Sequence, residues 1–120
     1  MATYKVIEHK GKKIHIVDIA NTKPEEAIVL LADSQKKIAA LPPKSALIIT
    51  DATNAVYNND SAAAIRDFAK KNTPFVRASA VVGADGLRTV LMKAVAIFTK
   101  RDIKACKSHD EAMEWLISRG

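Results

Sequence analysis

The sequence predicts an α/β domain built around a largely parallel sheet, and three features of the chain lead there. Short runs of strand-type residues alternate with longer stretches in which apolar residues recur at helical spacing. The first two strand-like runs lie too close together for a crossover and read as an antiparallel hairpin. Acidic residues gather near the starts of the helical stretches and basic pairs near their ends, as the helix dipole favours.

Residues 4–8 and 14–19 form the hairpin, separated by His9-Lys10-Gly11-Lys12, where Gly11 can supply the positive φ of a tight turn. Thr22 as N-cap, Pro24 and Glu25 mark the start of a first helix. Ala27, Leu30, Leu31, Ile38 and Leu41 give it an apolar stripe, and Pro42-Pro43 ends it. Residues 46–50 are continuously strand-like, too short for a typical helix, and read as a buried central strand. A second helix starts near Asn59 or Asp60, turns Ile65, Phe68 and Ala69 inward, and stops before Asn72-Thr73-Pro74. Residues 75–82 make the next strand, closed by Gly83. From Ala84 or Asp85 another helix carries Leu87, Val90, Leu91, Ala94, Val95 and Phe98 on one stripe. Residues 103–106 are a short last strand, and Ser108 with Glu111 forms a capping box that opens the final helix. The order is ββαβαβαβα, which calls for right-handed crossovers between parallel strands.

At 120 residues, 48% of them hydrophobic and 27% charged, the chain reads as one globular domain spanning residues 1–120. No stretch approaches a membrane span and the N-terminus has no signal-like apolar run, so a cytoplasmic location is expected. Cys106 is the only cysteine, which excludes an internal disulfide; His9, His15 and His109 lie far apart and show no metal-ligand spacing. Neither a metal nor a cofactor is implied. The net charge of +6 raises the question of nucleic acid, but fourteen of the nineteen basic residues are lysines. Lys36-Lys37, Lys70-Lys71 and Lys100-Arg101 match helix ends, so a solvated basic surface is the simpler reading.

The order of elements is that of the STAS domain, and the local sequence adds to the likeness. The stretch ALIITDATNAVYNNDSAAAIRDF resembles that family's strand, loop and helix start. RASAVVGADGLRTVL, followed by FTKRDIKACKSHDEAMEWL, is similar to the small bacterial SpoIIAA-like (STAS/SEC14) proteins. The resemblance implies a SpoIIAA-like STAS fold over the whole chain, and a non-enzymatic regulatory module that docks on a protein partner. In the anti-sigma-factor antagonists an Asp-Ser-Ser-Gly motif before the second helix carries a phosphorylated first serine. Asp60-Ser61 stands there in this chain, followed by Ala62-Ala63 in place of the second Ser and the Gly. Ser61 is thus the candidate phosphosite by resemblance, and Asp60 with Ser61 are equally ordinary helix-start residues.

The residues themselves point to one further region. Asp51, Thr53, Asn54, Asn58, Asn59 and Asp60 gather between the end of the central strand and a helix start. Gly83, Asp85 and Gly86 make a second strand-to-helix turn on the same edge. Open α/β sheets bind ligands outside the carboxyl ends of their strands, so a partner or a small anion or nucleotide is expected there, and the resemblance to SEC14-like proteins implies a lipid as a further alternative. Ordinary turn chemistry accounts for the same residues, and no phosphate-loop motif is present. An enzyme would need Asp51 or Cys106 in a pocket, and Cys106 in an apolar strand reads as inert packing. The edge strand of the hairpin makes a homodimer possible.

Overall fold

The structure is a computed structural model and describes residues 2–83 and 102–120. The expected helix that begins at Ala84 or Asp85, and the Lys100-Arg101 pair, lie outside these residues. The described elements are β1 (Thr3–His9), β2 (Lys12–Asp18), α1 (Pro24–Ile38), β3 (Ala46–Asp51), α2 (Asn59–Asn72), β4 (Val76–Val82), β5 (Ile103–Cys106) and α3 (His109–Arg119). The strands form one sheet in the order β1-β2-β3-β4-β5. β1 and β2 are antiparallel, and β2, β3, β4 and β5 run parallel to one another.

The β1–β2 turn holds Lys10 at φ 51° and Gly11 at φ 78°. Positive φ at both central residues matches the right-handed twist of a two-residue hairpin. Lys10 therefore shares the left-handed backbone expected at Gly11 alone. The start of α1 also differs from expectation. Thr22 is buried, and its hydroxyl donates to the Ile19 carbonyl at 2.6 Å, so Lys23 takes the N-cap position. Pro24 follows as the first helical residue, and Glu26 rather than Glu25 accepts the Lys23 backbone N–H at 3.3 Å.

The period-two alternation of the strands splits the core in two. On one face Val17, Ile19, Ala46, Ile48 and Val76 pack with Ala27, Leu31 and Ile38 of α1 and Ile65 and Phe68 of α2. On the other face Ile14, Ile16, Leu47, Ile49, Ala78 and Ala80 meet Ala112 and Leu116 of α3. Burying one such Ile or Leu contributes roughly 1.5–3 kcal/mol. β3 supplies both clusters and pairs with a strand on each side, which places its carboxyl end, Asp51, at the middle of one sheet edge.

Candidate functional site

The carboxyl edge of the parallel strands is assembled by backbone bonds between consecutive strand ends. The Ile19 N–H donates to the Asp51 carbonyl at 2.9 Å, and the Ala52 N–H to the Val82 carbonyl at 2.9 Å. Further out, the Asn21 N–H donates to the Thr53 carbonyl at 2.9 Å, and the Val56 N–H to the Thr22 carbonyl at 3.0 Å. The loop between β3 and α2 is therefore pinned to the loop between β2 and α1. Asn21 and Asn54 both take left-handed backbone, at φ 58° and 55°, a conformation that asparagine tolerates better than most residues.

Asp51 organises the centre of this edge. Its Oδ1 accepts the Thr53 backbone N–H at 3.0 Å and the Thr53 hydroxyl at 2.7 Å. Its Oδ2 accepts from His109 Nε2 at 2.7 Å, tying the end of β3 to the first residue of α3. Burial works to raise the Asp51 carboxyl, but the hydrogen bonds from His109 and Thr53 outweigh it and hold the group below its ordinary value. Gly83, at φ 72°, closes the cluster. A Cβ at that position would lie 2.4 Å from Thr53 Oγ1 and 2.5 Å from the Thr53 backbone.

Of the residues expected at this site, the structure brings Asp51, Thr53 and Gly83 together. Asn54 lies exposed in the turn, and Asn59 and Asp60 are exposed in the first turn of α2. Asp85 and Gly86 lie outside the described residues. Asn58 is the N-cap of α2: its Oδ1 accepts the Ser61 N–H at 2.8 Å, and its own N–H donates to Ser61 Oγ at 2.9 Å. Ser61 is fully buried, and its hydroxyl also donates to the Asn58 carbonyl at 3.2 Å. Phosphorylation of Ser61 therefore requires the first turn of α2 to open.

Sequence reasoning missed the pairing of His109 with Asp51, residues 58 positions apart. The available signal was topological. In a parallel sheet the start of the helix after β5 falls on the same edge as the ends of β3 and β4. Cys106 is buried at the end of β5, and burial, with Glu111 adding to it, raises its thiol pKa. That is the opposite of an activated nucleophile. Among the described residues no cluster of three or more His, Cys, Asp or Glu side chains has the geometry to hold a metal ion, and no helix is long and apolar enough to cross a membrane.

No family model matches the chain, and no curated protein sequence matches it. A crystal structure of an uncharacterised DUF3478-family protein from Shewanella loihica, described as having a SpoIIAA-like fold, superposes with a TM-score of 0.69. The two sequences are 12% identical, and the match covers 96% of this chain and 93% of that one. With the antiparallel hairpin, the parallel strands and the described helices in the expected order, this chain has the SpoIIAA-like fold.

Proposed function

We propose that the protein is a non-enzymatic interaction module of SpoIIAA type, which docks on a protein partner through residues 52–59 and the adjoining start of α2. The observation that carries this reading is the character of that loop. In a chain that is 27% charged, residues 52–59 bear no charge, and Val56 at their tip is 58% exposed. Interface centres are depleted of charge in the same way. The backbone behind the tip is already held by the Val56–Thr22 bond, the Asp51–Thr53 bonds and the Asn58–Ser61 pair. A surface ordered before contact loses little entropy on binding.

The test is affinity capture from the native cells, comparing the natural chain with Val56→Glu and with Lys36→Glu, a distant surface control. A partner retained by Lys36→Glu and lost by Val56→Glu supports the reading. If every captured protein binds Val56→Glu as well as the natural chain, the loop is not the docking surface. Intact-mass measurement of the captured chain tests Ser61 as a switch, since a phosphoryl group there would break the Asn58–Ser61 pair and reshape the loop.

The Asp51–His109 pair favours a second reading, in which the carboxyl edge holds a small ligand whose polar group meets His109, itself 37% exposed. Retention of a stoichiometric small molecule in native mass spectrometry, lost in His109→Ala, would favour it.

A further inference from the structure

At the opposite edge of the sheet, where the parallel strands begin, the surface folds into a groove of about 540 Å³. Lys12 and Lys13 enter it from the start of β2, Lys44 from the loop between α1 and β3, and Arg77 from β4. Leu41, Pro42 and Leu47 form an apolar wall beside them. No carboxylate side chain lines the groove among the described residues.

Elsewhere on the surface several cations meet acidic partners: Lys10 with Glu114, Lys37 with Asp33, Lys71 with Asp67, and Arg119 with Asp102. The four cations of the groove form no ion pair among the described residues. Two of them are held in place by neutral acceptors instead. Lys44 Nζ donates to the Thr73 carbonyl at 3.1 Å, and Arg77 Nε to the Arg119 carbonyl at 2.7 Å. Each bond positions a cation while leaving its remaining N–H donors for another acceptor. Gly120 also lines the groove beside Lys12, and its backbone carboxyl is, among the described residues, the one negative group against these four charges. The excess of like charge around one concavity concentrates field within it and is relieved by a multivalent anion.

From this we infer that the groove binds a phosphorylated small molecule, its phosphate at the rim of the sheet between Lys44 and Arg77, with Lys12 and Lys13 adding charge from opposite faces of β2, and its body against Leu41, Pro42 and Leu47. Arginine grips phosphate through its planar fork and lysine supplies point charge, whereas a single carboxylate would leave most of these donors unmatched. The site lies on the edge away from residues 52–59 and stands independently of the docking surface proposed above.

The experiment titrates the full chain with inorganic tripolyphosphate at constant ionic strength, following backbone amide shifts by NMR. A parallel arm sediments the protein with phosphatidylglycerol vesicles. Saturable shifts centred on residues 12–15, 44–47 and 77, weakened about tenfold by Lys44→Glu or Arg77→Gln but not by Lys36→Glu, support the site with a free phosphate. Vesicle binding with the same dependence on Lys44 and Arg77, in the absence of tripolyphosphate binding, supports it with a phosphate carried on a lipid headgroup. Lys44 is exposed in a loop, and Lys44→Met removes its charge should charge reversal disturb folding. The inference is overturned if neither probe binds, if shifts spread evenly over the surface lysines, or if Lys36→Glu weakens binding as much as Lys44→Glu.

Discussion

At Gly83 two separate constraints exclude a side chain. Its φ of 72° is unfavourable for any L-residue with a Cβ, and the space a Cβ would take is already filled by Thr53. Because the blocking atoms include the Thr53 backbone nitrogen and Cα, a rotamer change cannot relieve the overlap. Gly83→Ala should therefore cost about 3 kcal/mol, the sum of a left-handed backbone and an overpacked contact. Gly11→Ala is the matched control: its φ is 78°, but nothing lies within 4 Å of the added Cβ, so its cost should be about 1 kcal/mol. Urea unfolding of both variants checks this, and equal losses would refute the claimed contact with Thr53. At this scale the sequence was partly legible. A glycine after a strand announced a turn, but that Thr53 is the neighbour it must accommodate depends on two strands 25 or more residues apart becoming adjacent. The Asp51–His109 pair was hidden for the same reason: the local partner of Asp51 is Thr53, two residues on, and nothing near either residue in sequence points to the other.

The first turn of α2 is a unit in which each residue satisfies the other. Asn58 and Ser61 exchange backbone and side-chain hydrogen bonds, so the helix start is fixed one turn ahead of Ile65 and Phe68, which pack in the core. Asn58→Ala should destabilise the protein by about 1 kcal/mol, and Ser61→Ala by a similar amount. Since both substitutions break one reciprocal arrangement, the double variant should lose clearly less than the sum, as chemical denaturation will show; strict additivity would mean that the two bonds act separately. Elements were the most legible level of this chain. The strands and described helices fall within about two residues of their expected ends, because alternation, helical spacing and Pro or Gly boundaries are local properties. The exception is the end of α1, which stops at Ile38 rather than running to Leu41, the chain closing instead through turn bonds from Ala40 to Lys37 and from Leu41 to Ile38. The start of α1 was misplaced because Thr22, a favoured cap by type, turns its hydroxyl back to the Ile19 carbonyl and joins the buried junction between β2 and α1. Tertiary packing overrode a local preference. At α3 the expected Ser108 cap is present, accepting the Glu111 N–H at 3.2 Å, while Glu111 reaches one residue further back, to the Lys107 N–H at 2.8 Å.

Over the whole molecule, the parallel order β2-β3-β4-β5 separates two edges with different chemistry. One presents an uncharged, pinned loop around the Asp51–His109 pair; the other presents the cationic groove. Alternating strands and helices made the parallel architecture legible, but a one-dimensional charge count could not distinguish the edges. Lys12, Lys13, Lys44 and Arg77 look like scattered surface charge until β2, β3 and β4 are laid side by side.

The same architecture makes stability depend on pH in a defined direction. His15 is 7% exposed, and its Nδ1 shares a hydrogen bond of 2.6 Å with the Tyr4 hydroxyl. Burial, with Lys13 adding repulsion, lowers the His15 pKa below 6.5. Between its folded and unfolded values the unfolded chain binds more protons, so the contribution of neutral His15 is complete above 6.5 and is lost as pH falls through the folded value. Asp51 adds a second loss at lower pH. Its carboxylate contribution is complete above 3.8 and disappears as pH falls through its lowered value. The net charge of +6 at pH 7 grows as these groups protonate, and self-repulsion acts in the same direction. The melting temperature should therefore hold between about pH 7 and 8, fall once below about pH 6.5, and fall again below about pH 4. His15→Gln, which cannot acquire charge, should remove the first step and leave the second. Were the first step to survive in that variant, its source would lie outside the Tyr4–His15 contact, and the buried edge of the hairpin would not be where acid first loosens the fold.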